Sequence, residues 1–398
     1  MDTFYAVTAP GLEALAAQEL RRLGLLKGDP TSGTAERETR PLSHQESEAG
    51  GVAFDGELED LYRANLHLRT ASRVLVRLGT FRAVSFPELR KKARRLAWER
   101  YLAPGQPVAL RTTCHKSRLY HSDAVAERVA GAIGDRLGSP TPPVKVKPSS
   151  DESTGAAGEH HQLVVVRMLN DECTVSVDAS GQLLHRRGYR LASAKAPLRE
   201  TLAAALLLAA GWDEAAPLLD PFCGSGTIAI EAALLAQGLP PGHSRRFAFM
   251  KWPAFDPKRW GALLAAAQPR PTAALPVILA SDRDAGAIRL ARENAERAGV
   301  AQAIEFSTRA VSAITPPAGP GWVVTNPPYG VRVSANQDLR NLYAQLGHVL
   351  RRHCSGWQVA ILSSDRKLLA QTGLRLDTSF TTVNGGVKVR LGKGRVEA

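Results

Sequence analysis

Leu218-Leu219-Asp220-Pro221-Phe222-Cys223-Gly224-Ser225-Gly226-Thr227-Ile228-Ala229-Ile230-Glu231 reads as a strand end, a glycine turn and a helix start. Gly224 and Gly226 let the backbone pass close to a ligand and take φ > 0 where the turn needs it. A helix over residues 227–237 then aims its N-terminal N–H groups and positive dipole end at that ligand. Asp220, at the carboxyl end of the strand, is placed to attract a cationic group. Downstream, strands and helices alternate, which predicts an open α/β sheet with its ligands outside the carboxyl ends of the strands.

The same glycines also fit the G-x-G-x-x-[GA] fingerprint of a dinucleotide fold. That fingerprint wants an acidic residue roughly 20 positions further on. Here the next strand, residues 275–280, leads only to Asp282, more than fifty positions away. An anionic pyrophosphate also sits poorly against Asp220, whereas the cationic end of S-adenosylmethionine suits it. Asp282 can accept both hydrogen bonds of a ribose diol. Its bland role would be helix capping, but Asp284 is the better cap for a helix over residues 285–298.

About a hundred residues further on stands Asn326-Pro327-Pro328-Tyr329, after the apolar run Trp322-Val323-Val324-Thr325. Two prolines fix φ and keep the preceding Asn extended, so the turn is stiff. The Asn amide oxygen and the next backbone carbonyl then face one point, with an aromatic ring beside them. Two acceptors and a ring suit a flat heterocycle carrying an exocyclic NH2. A tight loop of no chemical role is the plain alternative for N-P-P-Y standing alone; the glycine turn upstream weighs against it.

D-P-F-C-G-S-G-T-I-A-I-E-A-A, then S-D-R-D, then T-N-P-P-Y-G resemble the class I S-adenosylmethionine-dependent methyltransferases that modify exocyclic amines. More narrowly, the chain resembles the THUMP-domain RNA guanine-N2 methyltransferases of the bacterial large-subunit rRNA type. Leu184-His185-Arg186-Arg187-Gly188-Tyr189-Arg190, residues 196–204, Phe4 to Glu13, and Val383-Asn384-Gly385-Gly386 carry the narrower likeness. It implies a class I (Rossmann-like) α/β methyltransferase domain over residues 181–398, preceded by two α+β modules. These are a ferredoxin-like region over 1–65 and a THUMP RNA-binding module over 66–180. It implies cofactor contacts from Asp220, Phe222, Cys223, Gly224, Ser225, Gly226, Thr227, Asp282, Arg283, Pro197 and Thr201. Catalysis falls to Asn326, Pro327, Pro328 and Tyr329, with 23S rRNA as the substrate. Three rivals stay open: a tRNA guanine-N2 enzyme, an adenine-N6 DNA methyltransferase sharing N-P-P-Y, and an RNA-binding assembly factor with an inactive catalytic half. One departure stands out: Phe306 to Val311 lacks the Asp that the family places after its third strand to contact the cofactor adenine.

The chain has 398 residues and a formal charge of +13, so several domains fit and a polyanionic partner suits the excess. Cys114, Cys173, Cys223 and Cys354 are scattered without C-x-x-C or Cys/His spacing, which argues against a metal site and for a reducing, cytoplasmic setting. Cys223 reads as a turn-packing residue. No stretch reads as a signal peptide, and the apolar run 202–210 is too short to span a bilayer.

Near the start, residues 3–8 alternate as a strand, 12–23 have helical spacing, 58–65 read as a helix and 73–81 as a strand. Residues 28–51 and 139–161 read as long polar loops. Residues 86–98 read as one helix crowded with Arg90, Lys91, Lys92, Arg94 and Arg95. Lys116 and Arg118 lie in the loop 114–122, beside His115, Tyr120 and His121. A charge run is often only a solvated face. In one module with few acidic neighbours, these cations are the expected anchor for RNA phosphates. Residues 238–274 read as a Pro-rich connection.

Overall fold

The structure, a computed structural model, describes residues 1–27, 47–48, 50–144, 161–190, 198–267, 269, 275–329 and 339–397. Most of both polar loops and Pro197 lie outside the described residues.

The N-terminal half builds β1 (Asp2–Thr8), β2 (Ser47–Glu48), β3 (Gly51–Gly56), β4 (Ala71–Arg82), β5 (Val108–His115), β6 (Pro143–Val144), β7 (Gln162–Leu169) and β8 (Glu172–Asp178). They form one sheet in the order β2-β3-β1-β4-β8-β7-β5-β6. Helices α1 (Glu13–Arg22), α2 (Leu58–His67), α3 (Phe86–Ala93) and α4 (Ser122–Leu137) accompany it. The divide expected at 65/66 falls inside α2. β4 pairs with β1 on one side and β8 on the other, so both N-terminal sections share a sheet. The β7–β8 hairpin turns at Asn170 and Asp171, with φ of 53° and 66°, the paired left-handed conformation of a type I′ turn.

The helix expected over 86–98 stops at Ala93. Trp98 is buried and donates its Nε1–H to the Ala93 carbonyl at 2.8 Å, so the chain turns inward to seat the indole instead of winding on.

The C-terminal half contributes α5 (Glu200–Ala210), β9 (Leu218–Asp220), α6 (Thr227–Ala236), α7 (Pro257–Ala266), β10 (Ile278–Asp282), α8 (Ala285–Arg297) and β11 (Ile304–Thr308). Then follow β12 (Trp322–Thr325), α9 (Leu339–His353), β13 (Gln358–Ser363), α10 (Arg366–Gln371), β14 (Thr381–Asn384) and β15 (Val387–Arg395). The sheet order is β11-β10-β9-β12-β13-β15-β14. β9 to β13 pair in parallel, and β15 enters antiparallel between β13 and β14. A plain doubly wound dinucleotide sheet has no such inserted antiparallel strand. Strand order reverses between β9 and β12, and this crevice is where α/β sheets bind ligands.

The connection 238–274 is not only a loop. Asp256 accepts N–H bonds from Lys258 and Arg259 and Pro257 takes the first helical position, which starts α7. This segment packs into the N-terminal half. Phe249 stacks on Tyr62 at 4.6 Å, Trp260 meets Tyr62 edge-on, and Trp252 meets Tyr101 edge-on at 4.9 Å. Trp252 Nε1 also donates to Gln162 Oε1 at 2.7 Å. Truncating one such buried aromatic costs about 3–5 kcal/mol. In the other direction, Leu12 at the N-cap of α1 and Leu15 within it pack into the C-terminal core.

The two halves also meet at Gly11. Its φ is +87°, and a Cβ there would sit 2.1 Å from the Thr381 carbonyl oxygen. Gly11→Ala is expected to destabilise the protein by more than about 2 kcal/mol, from left-handed strain plus overlap. Thermal unfolding checks it, and an unchanged midpoint would refute the close approach.

Candidate functional site

The site grows from the carboxyl ends of β9 and β12, neighbours at the reversal of strand order. Asp220 ends β9 and is buried. Its Oδ1 accepts from Thr325 Oγ1 at 2.6 Å and from the Phe222 N–H at 3.2 Å. Burial pushes its carboxyl up to about 7; the Thr325 and Phe222 bonds oppose this and the Asp282 charge adds to it. A cation alongside would restore the charged form.

The glycine turn is held to β10 by Cys223 N–H donating to the Ser281 carbonyl at 3.0 Å and Gly224 N–H donating to Asp282 Oδ2 at 3.1 Å. Asn294 on α8 donates to the Ser225 carbonyl at 3.1 Å. Gly226, at φ +81°, brings the turn so near α8 that a Cβ would lie 3.0 Å from the Ala291 Cβ. Gly224 has open space where its Cβ would be. The burial that surrounds the Cys223 thiol pushes it well up, which suits packing and not nucleophilic work. Asp282 also accepts the Asp284 N–H at 3.0 Å, while Asp284 caps α8 through Gly286 and Ala287. Phe222 is half-buried and Arg283 exposed, both beside this turn in the chain. Thr201 is buried in the first turn of α5, and no hydrogen bond among the described residues ties it to the glycine turn.

Across the crevice, Asn326 leaves β12 directly. Its Oδ1 is buried and finds no donor among the described residues. A buried acceptor without a donor costs about 1–3 kcal/mol, so this oxygen fits a ligand that brings an N–H. Pro327 is buried, with Pro328 and Tyr329 half-buried. The Tyr343 hydroxyl lies 3.4 Å from the Pro328 carbonyl and 3.3 Å from Ser363 Oγ, steadying the turn from beneath. Asn384 Nδ2 donates to Tyr329 Oη at 3.1 Å.

Sequence reasoning assigned no role to several residues that build this geometry: Thr325, Asn294, Tyr343, Asn384 and the segment ending at Arg190. Arg190 Nη2 donates to Thr227 Oγ1 at 2.5 Å and to the Leu198 carbonyl at 3.0 Å, and pairs with Glu200 at 3.6 Å. Tyr189 Oη donates to Glu231 Oε1 at 3.1 Å. Arg187 pairs with Glu231 at 3.4 Å, both buried, and donates to the Arg69 carbonyl at 2.7 Å. One guanidinium therefore joins the N-terminal half to the helix that follows the glycine turn.

The cationic residues separate into two groups. Arg90 grips Asp135 through two bonds of 2.7 and 2.8 Å, and Lys92 bonds Glu88 and the Arg82 carbonyl. Lys91, Arg94 and Arg95 are exposed, with Arg94 helping Arg90 hold the Asp135 carboxyl down. Lys116, at φ 47°, and Arg118 lie at the other end of α4, which runs about 20 Å between Ser122 and Asp135. Asp171 pins their loop by accepting the Arg118 N–H at 2.7 Å. His115, Tyr120 and His121 are all exposed, and the Tyr120 and His121 rings lie 4.1 Å apart.

Among the described residues no cluster of His, Cys, Asp or Glu could hold a metal ion, and no helix is long and apolar enough to cross a membrane.

Residues 187–393 match the family described as RMKL-like, methyltransferase domain; residues 37–75 match an RlmL ferredoxin-like domain and 83–151 a THUMP domain. A Synechocystis protein provisionally named an RNA methyltransferase is 35% identical over 98% of this chain and 95% of its own. The ribosomal RNA large subunit methyltransferase K/L of Syntrophotalea carbinolica is 36% identical over 98% of this chain but 53% of that protein. The chain spans about half the length of such K/L relatives. A solved structure of a provisionally assigned methyltransferase with S-adenosylhomocysteine superposes with a TM-score of 0.84 at 28% identity, covering 100% of this chain and 98% of the other.

Arg187→Ala removes the guanidinium paired with buried Glu231 and leaves that carboxylate the Tyr189 hydroxyl as its hydrogen-bond donor. Breaking a buried pair in this way is expected to cost about 3–5 kcal/mol. Denaturant titration reads the loss, and a midpoint equal to wild type would show that the pair does not brace α6.

Proposed function

The chain belongs to the RMKL-like methyltransferase family, and from that premise we propose that it methylates the exocyclic N2 amine of a guanosine in 23S rRNA, in the cytoplasm. The cofactor is S-adenosylmethionine, which supplies a methyl group on a positively charged sulfur. The observation that carries the guanine amine is the buried Asn326 Oδ1, without a donor among the described residues, in the same turn as half-buried Tyr329.

In this reading Asn326 Oδ1 and the Pro327 carbonyl accept the two amino protons, which turns the nitrogen lone pair toward the methyl carbon. Tyr329 stacks on the base, which must leave its own stack at a cost of a few kcal/mol. Asp220 draws the cationic end of the cofactor, Asp282 accepts from its ribose, and the N–H groups after Gly226 face its polar end. When bound, the cofactor would supply an electrophilic methyl group and keep the sulfur's electron pair, and the amine held by Asn326 and Pro327 would take the methyl and release one proton to solvent. Rate comes from alignment and charge placement, with no strong base required. Residues 66–180 grip RNA: exposed Lys91, Arg94 and Arg95 at one end of α4, Lys116 and Arg118 at the other. Arg90 and Lys92 serve mainly to hold the module together.

Labelled methyl transfer to 23S rRNA, tRNA and DNA, followed by nucleoside mass spectrometry, tests the reading. The expected product is N2-methylguanosine in 23S rRNA. Labelled N6-methyladenine in DNA, or label in tRNA alone, would overturn it. Asn326→Ala is expected to keep cofactor affinity and lose at least about 100-fold in transfer; full activity would remove Asn326 from the mechanism.

Asp220 also sets a pH dependence. Its carboxyl titrates near 7 when buried without a cation, and the cofactor's sulfonium favours the charged form. Affinity for S-adenosylmethionine therefore falls as pH drops through about 7, by about tenfold from pH 8 to pH 6. S-adenosylhomocysteine lacks the sulfonium charge and is expected to change less. Calorimetry at several pH values reads both, and equal slopes would argue against a cation beside Asp220.

A further inference from the structure

Two motifs have no task in that reading: Ala9-Pro10-Gly11-Leu12-Glu13 near the start of the chain and Val383-Asn384-Gly385-Gly386 near its end. The fold brings them to either end of one short strand. Asn384 is the last residue of β14, and its Nδ2 reaches across to donate to Tyr329 Oη at 3.1 Å, a half-buried bond between residues 55 positions apart. Because Oη lies on the ring's own axis, such a bond leaves ring rotation free. It fixes instead where the far end of the ring points, and that decides where a stacked base lies. The hairpin turn beyond Asn384 is formed by Gly385 and Gly386, both at positive φ, so the side chain sits at the mouth of a tight reversal.

Among the described residues β14 is the edge strand of its sheet and pairs with β15. Its other support comes from the N-terminal half. The Gly11 turn approaches the Thr381 carbonyl too closely for any side chain. Glu13 anchors that turn, accepting the Gly11 N–H at 2.7 Å and the Gly50 N–H at 3.3 Å. Ala9 and Phe380, from the two sides, pack on the same apolar cluster. Contact therefore runs without a gap from β1–α1 through Thr381 to Asn384 and Tyr329.

We propose that Asn384 is a positioning residue for the target base, acting through the Tyr329 hydroxyl from a hairpin that the Gly11 turn of the N-terminal module holds in place. The proposal rests on the reading of Tyr329 as the stacking ring. It gives the N-terminal module a part in shaping the pocket, beyond any grip on the substrate. Asn384 itself touches no reacting atom.

The full chain carrying Asn384→Ala, Tyr329→Phe or both is assayed for kcat, KM and cofactor affinity. Asn384→Ala is expected to lower kcat about 5- to 10-fold with cofactor affinity unchanged, and to add nothing in the Tyr329→Phe background. Asn384→His, which can still donate, is expected to recover part of the loss. Equal losses in both backgrounds, or a wild-type kcat for Asn384→Ala, would overturn the proposal. Unchanged cofactor affinity reports that the fold survives. A wild-type enzyme that methylates DNA adenine and not RNA would refute the substrate reading alone; the same cycle then runs on that base, which must stack on the same ring.

Discussion

The hydrogen bond from Thr325 Oγ1 to Asp220 Oδ1 joins two motifs that lie 105 residues apart in the chain. It spans the point where strand order reverses, so the glycine turn leaves one side of the crevice and N-P-P-Y the other. Everything chemical about the molecule follows from that adjacency. On the proposed reading, a cofactor on the glycine turn and a base at Asn326 could meet only because β9 and β12 are neighbours. The bond also keeps a buried carboxylate partly satisfied in a place where burial alone pushes it toward neutrality. The result is a carboxyl group poised to change charge when a cation arrives.

Around this crevice the two halves of the chain are interlocked. Aromatic residues between Phe247 and Trp260 fill the N-terminal core, and Leu12 and Leu15 fill the C-terminal one. Arg187 ties the Arg69 carbonyl to Glu231 on α6, and Gly11 lies against β14. These contacts set the geometry between the part of the chain that carries the exposed cations and the part that carries the pocket. The cations themselves lie at the two ends of α4, so an RNA touching both groups must extend about 20 Å along that helix.

Local chemistry made much of this legible. Alternation and helical spacing located most strands and helices to within a few residues, because burial of one face imposes a period of 2 or 3.6. Asp284 was readable as the cap of α8 because a carboxylate before a helix accepts its first N–H groups. α7 carried the same signal in Asp256-Pro257, overlooked within a stretch rich in prolines. The short α3 was not legible: its residues continue a helical pattern, and only the seating of the Trp98 indole ends it. A charge run gave no warning that Arg90 and Lys92 are engaged by Asp135 and Glu88.

The sequence by itself determined the pieces: a glycine turn able to face a ligand, a proline-stiffened corner with two acceptors, and a run of cations over residues 90–95. Each is a property of a few consecutive residues. Tertiary structure decided which pieces meet. Strand order, the Arg187 tie, the Gly11 contact and the bond from Asn384 to Tyr329 join residues dozens of positions apart. Local periodicity is silent about such pairings, since they depend on how whole sheets and helices pack to bury their apolar faces.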